Sequence, residues 1–278
     1  MQVLSVDYRA ADAPERFERS LRETGFAVVT RHPVPAAAID AAYAEWEAFF
    51  RSDEKHRYTF DPEKQDGYFP FRSENAKDHP QKDLKEFFHV YPGTTLPAGL
   101  SGATRELYAA LSTLAGELLG WIEDQAPADV RGALSMPLRE MVRDSPQTLF
   151  RILHYPPLTG AEEEGAVRAA AHEDINLITL LVAATAPGLQ VRDAAGAWWD
   201  VPADPGSVVV NSGDMLQMAS GGRYRSTTHR VVNPSGEDAG RPRLSMPLFL
   251  HPWPQVRLSA THTAREYLDE RLREIGLK

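Results

Sequence analysis

Cysteine is absent from this chain of 278 residues. Disulfide bonds, zinc ribbons, iron–sulfur clusters and thiol catalysis are therefore excluded together. A metal ion bound by this protein must take its side-chain ligands from histidine, aspartate or glutamate. With 42% hydrophobic and 25% charged residues, the remaining composition is ordinary for a folded domain, and the length is sufficient for one large core.

Positive charge is scarce and long apolar runs are missing. Lys and Arg number 30 against 39 Asp and Glu, the net charge is −9, and nowhere do five basic residues follow one another. Nucleic-acid-binding proteins cluster positive charge, so we expect no nucleic-acid partner. The longest uncharged apolar run, Ile175 to Pro187, is too short to span a bilayer, and Met1 to Asp12 lack the features of a signal peptide. We therefore expect a cytoplasmic protein without a membrane partner; its oligomeric state stays open.

The hydrophobic pattern changes near residue 146. Before that point, apolar residues at helical spacing predict helices over 14–24, 36–51 and 103–123, with short strands over 26–30 and 84–91. After it, short apolar runs between turn residues predict the strands 147–153, 175–183, 188–192, 197–201, 207–210, 215–218, 228–232 and 243–250. A charged helix is expected over 263–275.

We interpret residues 1–278 as one domain with a mainly β core and flanking helices. Residues 1–146 would form a mostly helical N-terminal region with loops that cover the substrate. Residues 147–278 would form the core and the C-terminal helix. Eight or so short strands separated by turns are typical of a sandwich, a barrel or a jelly roll.

The first indication of chemistry is the pair His172 and Asp174, which flank Glu173 at the start of an apolar run. Alternate residues of a strand share a face, so this imidazole and this carboxylate are predicted to project together. Such a pair is half of a divalent metal site, although a His-x-Asp pair also arises by chance. His229, in a second predicted strand, supplies another imidazole. Two histidines and one carboxylate on one face leave metal positions open, which is typical of non-haem Fe(II) oxygenases.

A candidate anion site follows in Arg243 and Ser245. These residues also alternate along a predicted strand, so the guanidinium and the hydroxyl face the same way. Together they can hold a carboxylate, for which arginine offers a two-pronged donor that is always charged. Taken alone, Arg243 could equally form a salt bridge at a sheet edge.

These elements, in this order, resemble the isopenicillin N synthase-like family of Fe(II)/2-oxoglutarate-dependent oxygenases. The resemblance extends to residues 25–35, 187–202 and 211–231, and so covers most of the chain. It implies a double-stranded β-helix, or jelly roll, with a helical N-terminal region. For the metal it implies Fe(II) bound by His172, Asp174 and His229. For the cosubstrate it implies that the distal carboxylate of 2-oxoglutarate is held by Tyr155, Arg243 and Ser245.

The chain departs from the family pattern beside Tyr155. Many plant members have asparagine where this chain has Leu153, and His154 replaces a frequent tyrosine. A polar contact near the cosubstrate is therefore missing or rebuilt in this protein.

The resemblance implies that 2-oxoglutarate and dioxygen are consumed, that succinate and carbon dioxide are released, and that a small-molecule substrate is oxidised, most simply by hydroxylation. Desaturation and ring closure are alternatives. Isopenicillin N synthase and aminocyclopropane carboxylate oxidase retain an Arg-x-Ser pair without consuming 2-oxoglutarate. A 2-oxoglutarate-independent Fe(II) oxidase is therefore the alternative enzyme. A β-barrel binding protein with an inactive site is the non-enzymatic alternative.

Substrate contacts are predicted from position alone, at Tyr68, Phe71, Arg72, Asn176 and Phe249. The first three belong to an aromatic loop ahead of the core, which could bind an organic acid or simply pack as a cover. Asn176 follows Asp174 by two positions and is expected to face the same pocket. Phe249 shares the face of Arg243 only if the strand continues past Pro247.

Overall fold

The computed structural model describes residues 2–75, 79–202 and 204–274. The strands are β1 (Ser5–Asp7), β2 (Phe26–Thr30), β3 (Gly67–Phe69), β4 (Glu86–Val90), β5 (Leu149–Tyr155), β6 (Ala169–His172), β7 (Ile178–Val182), β8 (Leu189–Arg192), β9 (Trp198–Asp200), β10 (Val208–Ser212), β11 (His229–Val231) and β12 (Arg243–Leu250). The helices are α1 (Ala13–Thr24), α2 (Ala36–Arg51), α3 (Ala103–Gln125), α4 (Ala128–Ala133), α5 (Leu138–Val142), α6 (Asp214–Ala219) and α7 (Ala264–Glu274).

The strands form two facing sheets. The larger has the order β1-β2-β10-β7-β12-β5-β4-β3, and the smaller has the order β6-β11-β8-β9. The β1–β2 pair is parallel, whereas the other pairs are antiparallel. Strands distant in sequence are thus neighbours, as in a jelly roll, and the predicted double-stranded β-helix with flanking helices is confirmed.

The N-terminal region contributes strands as well as helices. β1 and β2 form one edge of the large sheet, and β4 and β3 form the other. Strands β1 to β4 of the N-terminal region therefore belong to the same sheet as later strands. None of the helices in the described ranges is both long and apolar enough to cross a membrane.

Helix α3 carries the longest apolar stripe, and it packs on the outer face of the large sheet against β7 and β12. Its leucines recur at helical spacing and are fully buried, at Leu107, Leu111, Leu114 and Leu118. They pack with α1 and α2 into one apolar cluster. A second, smaller cluster lies between the sheets. The helices thus cover one face of the large sheet and leave the space between the sheets to the functional site.

One predicted strand is wrong, because residues 215–218 belong to helix α6. Met215, Leu216 and Ala219 are buried there at helical spacing. The first amides of the helix donate to the turn before β7, from Asp214 to the carbonyl of Asp174 at 2.7 Å and from Met215 to that of Asn176 at 3.0 Å. A four-residue apolar run cannot distinguish a strand from a short helix, and these distant contacts select the helix.

Other segments also differ from prediction. The strand expected to begin at Ile175 begins at Ile178, and the alanine-rich β6 was not predicted, nor were the short β1, β3, α4 and α5. The C-terminal helix is described over Ala264–Glu274, and the predicted end at Ile275 lies outside the described residues. The remaining predicted strands and helices are present with bounds that shift by a few residues.

Candidate metal centre and anion site

The two candidate imidazoles lie on adjacent strands of the small sheet. His172 ends β6, His229 begins β11, and the two residues are direct antiparallel partners. Their ring centroids lie 4.4 Å apart. Asp174 lies just beyond β6, with its Oδ1 atom 3.9 Å from Nε2 of His172 and 3.7 Å from Nε2 of His229. The structure thus brings all three predicted ligands together, although a turn, and not strand alternation, places Asp174.

Each imidazole is oriented by a backbone carbonyl. Nδ1 of His172 lies 2.7 Å from the carbonyl oxygen of Ala170, and Nδ1 of His229 lies 3.0 Å from that of Thr227. A proton on each Nδ1 satisfies these hydrogen bonds and leaves the Nε2 lone pair directed at the centre. Burial, together with the neighbouring His229, lowers the pKa of His172, which favours the neutral form that binds a metal.

The carboxylate of Asp174 is oriented by side chains. Its Oδ2 atom accepts hydrogen bonds from Thr179 Oγ1 at 2.5 Å and Asn211 Nδ2 at 2.8 Å, which leaves Oδ1 for a metal. Burial opposes ionisation of Asp174. The two imidazoles and these hydrogen bonds outweigh it and hold the pKa of the carboxyl below its ordinary value. One ligand atom from each of the three residues lies within 4.8 Å of the others, so the donor set fits a divalent ion.

Asn176 contacts the candidate metal centre indirectly, through Thr179. It is fully buried, and its Nδ2 donates to Oγ1 of Thr179 at 2.9 Å. The side chain therefore lies behind Thr179 and outside the lining of the cavity, whereas the sequence predicted that it faces the pocket. Thr179 and Asn211 were not predicted, because only the turn before β7 and the β7–β10 pairing bring them to Asp174.

The predicted anion site lies on two paired strands of the large sheet. Arg243 on β12 is opposite Tyr155 on β5, and Ser245 is opposite Leu153. The Arg243 guanidinium is 5.2 Å from the centroid of the Tyr155 ring, and its Nε donates to the carbonyl of Ala186 at 2.9 Å. Its Nη1 atom is buried without a hydrogen-bond partner. Within the described ranges, no carboxylate forms an ion pair with this arginine.

A cavity that opens to solvent lies between the two sheets. All six predicted metal and cosubstrate residues line it, namely Tyr155, His172, Asp174, His229, Arg243 and Ser245. The two histidines come from the small sheet, and Asp174 comes from the turn that follows β6. The candidate anion-binding residues come from β5 and β12 of the large sheet. The jelly roll thus places a divalent-metal site and an unpaired cation in one cavity.

The other end of the cavity contains residues that the sequence did not indicate as functional. Lys85 and Arg151 line it together with Phe249. Lys85 Nζ lies 2.8 Å from both Glu74 and Asp83, and Arg151 Nη1 lies 3.2 Å from Glu74. No local motif links these residues, because Glu74, Asp83 and Lys85 precede β4 in the chain, whereas Arg151 lies on β5.

Glu74, Asp83, Lys85 and Arg151 form a group in which opposite charges stabilise one another. Burial would raise the pKa of Glu74, but Arg151 and Lys85 bring that pKa far below its ordinary value. Burial would lower the pKa of Lys85, but Glu74 and Asp83 raise it above its ordinary value. Glu74 and Lys85 are therefore both charged at neutral pH.

Among the predicted substrate residues, Phe249 lines the cavity, because β12 continues past Pro247, which is opposite Leu181. The three predicted residues of the aromatic loop lie outside that lining. Tyr68 is buried and donates to Glu86 at 2.5 Å. Phe71 is exposed, and Arg72 pairs with Glu163 at 2.5 Å. A substrate role for these three residues stays a prediction.

A jelly roll whose cavity holds two histidines and one carboxylate on one face is the architecture of a non-haem Fe(II) protein. Residues 146–252 match the family described as 2OG-Fe(II) oxygenase superfamily. Residues 5–106 match the family described as non-haem dioxygenase in morphine synthesis N-terminal. The chain belongs to the 2OG-Fe(II) oxygenase superfamily, whose cofactors are Fe(II) and 2-oxoglutarate, and His172, Asp174 and His229 form its facial triad.

Individual relatives agree with this assignment. A protein from Shewanella oneidensis, whose crystal structure is designated an oxygenase, is 51% identical to this chain. The two structures superpose with a TM-score of 0.91 over 100% of both chains. A 2OG-Fe(II) oxygenase family protein from Caulobacter crescentus is 32% identical, with a TM-score of 0.79 over 98% of this chain and 99% of that one.

A 2-oxoglutarate-Fe(II) type oxidoreductase from Aspergillus fumigatus is 34% identical over 198 residues. This match covers 68% of the present chain and 54% of the fungal protein. The chain thus spans about half the length of this curated relative.

Proposed function

We propose that the protein is an Fe(II)- and 2-oxoglutarate-dependent dioxygenase that oxidises, most simply by hydroxylation, a small-molecule substrate and releases succinate and carbon dioxide. The observation that carries the proposal is the unpaired guanidinium of Arg243 in the cavity of the facial triad. A buried charge is costly unless an opposite charge meets it. A cosubstrate carboxylate is the group that would satisfy it.

The residues divide into two sets with different tasks. His172, Asp174 and His229 would hold Fe(II), which together with 2-oxoglutarate and dioxygen supplies the oxidising chemistry. Tyr155, Arg243 and Ser245 would bind the distal carboxylate of 2-oxoglutarate and fix its direction in the cavity. Arg243 is only 2% exposed, and a charge pair formed in such a poorly hydrated place is stronger than one in water.

The substrate is proposed to occupy the end of the cavity beside Arg151, Lys85 and Phe249. Arg243 and Phe249 lie on one face of β12, six residues apart, which separates them by roughly 20 Å. One end can therefore hold the cosubstrate and the other the substrate, with the triad lining the same cavity. Because Glu74 and Asp83 already neutralise the two cations there, a small polar molecule with an apolar part suits this end better than a strong anion.

The test is an anaerobic titration of Fe(II)-loaded protein with 2-oxoglutarate, which follows the visible charge-transfer band of the chelate. We expect a saturable band, weakened in Arg243→Met, followed by succinate release when dioxygen is admitted. Asp174→Ala serves as the control that lacks a metal ligand and should give no band. If wild-type protein with bound iron gave no band, 2-oxoglutarate dependence would be contradicted and the 2-oxoglutarate-independent oxidase would take its place.

A further inference from the structure

Arg168 is a buried cation near the start of β6 that has no carboxylate partner in the described part of the chain. Among the lysines and arginines of the described residues, three are deeply buried, with Lys85 7%, Arg168 1% and Arg243 2% exposed. Lys85 is paired with two carboxylates, whereas neither arginine forms an ion pair. Nε of Arg168 is buried without a hydrogen-bond partner. Lys85 is thus neutralised within the described residues, whereas Arg168 and Arg243 are not.

The two unpaired arginines lie around the same aromatic ring. The guanidinium carbon of Arg168 is 5.9 Å from the centroid of the Tyr155 ring, and that of Arg243 is 5.2 Å from it. Burial, and then the charge of Arg243, lower the pKa of Arg168, which is the direction expected for two like charges around one ring. An anion near them would relieve both the burial cost and the repulsion.

A purely structural role does not account for this charge. Nη2 of Arg168 donates to the carbonyl of Arg241 at 3.0 Å, which ties β6 to the segment before β12. Asn233 already ties the backbone here, since it accepts from the amide of Arg168 at 2.9 Å and donates to the carbonyl of Ala166 at 2.8 Å. A neutral amide side chain could make the bond to Arg241 without the cost of a buried charge.

We propose that Arg168 is a positioning residue for the cosubstrate, which supports the ring of Tyr155 and adds a second positive charge behind the carboxylate held by Arg243. The inference rests on the proposed function, because it assumes that 2-oxoglutarate places its distal carboxylate at Arg243. The end of the cavity beside Arg243 then carries two positive charges, those of Arg168 and Arg243. It selects a carboxylate there over a neutral group of the same size.

The experiment measures the dissociation constant of 2-oxoglutarate in the anaerobic titration of Fe(II)-loaded protein. Arg168→Gln removes the charge and keeps a donor for the carbonyl of Arg241. We expect it to weaken 2-oxoglutarate binding about tenfold, as one removed charge at several ångströms allows. Arg168→Lys keeps the charge and should bind within about threefold of wild type on the same reasoning.

Asn233→Ala is the matched control, because it removes hydrogen bonds from the same backbone segment without removing a charge. It should also bind 2-oxoglutarate within about threefold of wild type, since the charge of Arg168 is unchanged. An unchanged affinity in Arg168→Gln, or an equal loss in Asn233→Ala, would overturn the proposal.

If Arg168→Gln did not fold, Arg168→Lys would decide, and a tenfold loss there would overturn the proposal as well. Failure of the wild-type protein to bind 2-oxoglutarate would instead refute the proposed function itself. The two failures are thus distinguishable in one titration.

Discussion

His172 and His229 are direct partners on two antiparallel strands, with ring centroids 4.4 Å apart. Strand pairing and two backbone carbonyls therefore fix both imidazoles. Asp174 lies beyond the strand, and its direction depends instead on the side chains of Thr179 and Asn211. The carboxylate is thus the ligand whose position is most sensitive to residues that do not touch the metal.

Replacement of Thr179 by valine is expected to weaken Fe(II) binding. The change removes the hydroxyl that donates to Oδ2 of Asp174 at 2.5 Å and leaves the carboxylate less firmly oriented, since the bond from Asn211 remains. Loss of such a supporting hydrogen bond costs roughly 10- to 100-fold in metal affinity. Anaerobic calorimetric titration with Fe(II) measures the effect. Thr179→Ser keeps the hydroxyl and should bind like wild type; equal affinity in the valine variant would show that Asn211 alone orients Asp174.

Replacement of Arg243 by methionine is expected to separate stability from cosubstrate binding. Without ligand, the free energy of unfolding should stay within about 1 kcal/mol of wild type, because the change removes a buried charge that lacks an anion. With 2-oxoglutarate at about 100 times the wild-type dissociation constant, wild type should gain about 2.7 kcal/mol and the variant almost nothing. Thermal unfolding with and without 2-oxoglutarate measures both quantities.

The control for this comparison is Arg241→Met, which removes an arginine whose side chain is 71% exposed. It should keep the full stabilisation by 2-oxoglutarate. A ligand-induced stabilisation that survived in Arg243→Met would contradict the assignment of this arginine to the cosubstrate.

The parts of the site that the sequence predicts are those carried by strand alternation. Arg243 and Ser245 share a face of one regular strand, so period two was sufficient for this pair. Tyr155, which lies opposite Arg243 on the neighbouring strand, came from the resemblance alone. His172, Asp174 and His229 were found by residue type and order, although the turn that aims Asp174 was mistaken for strand. The resemblance to a known family supplied the roles that spacing alone left open.

The parts that the sequence does not predict depend on contacts between distant segments. Arg168 and Lys85 look like surface charges in the sequence and are buried in the fold. Asn176 was expected in the pocket because it alternates with Asp174, but the chain turns there and buries it. Local pattern cannot tell a charge in water from one that the folded chain encloses.

Replacement of Glu74 by glutamine is expected to destabilise the fold by about 2–3 kcal/mol at neutral pH, because it removes a carboxylate, only 19% exposed, that pairs with both Arg151 and Lys85. The pKa of Glu74 in the fold lies below its ordinary value of 4.5. Its contribution is therefore complete above that pH and declines as the pH falls toward the folded pKa. The stability difference between wild type and variant should shrink correspondingly below about pH 4.5.

Urea denaturation at neutral pH and at several acidic pH values measures this difference. Glu163→Gln is the matched control, because it removes a carboxylate that is 59% exposed and pairs with Arg72. Exposed pairs contribute roughly 0–1 kcal/mol, so the control should lie close to wild type. A difference for Glu74→Gln that did not depend on pH would mean that its charge is not the stabilising feature.

Replacement of Gly213 by alanine is expected to damage the metal site through Asn176. A Cβ at position 213 would lie 2.3 Å from both the carbonyl oxygen and Oδ1 of Asn176. That carbonyl accepts the amide of Met215, so the backbone is not free to move away. Forcing an extra methyl into such a contact costs about 1–3 kcal/mol.

The strain should also reach the metal, because Asn176 holds Thr179 and Thr179 holds Asp174. We therefore expect Gly213→Ala to lose both stability and Fe(II) affinity, measured by urea denaturation and anaerobic titration. Gly240→Ala is the control, since a Cβ there meets nothing within 4 Å and the change should cost less than about 0.5 kcal/mol. If Gly213→Ala lost stability but bound Fe(II) like wild type, the hydrogen bonds from Asn176 through Thr179 to Asp174 would not transmit the displacement.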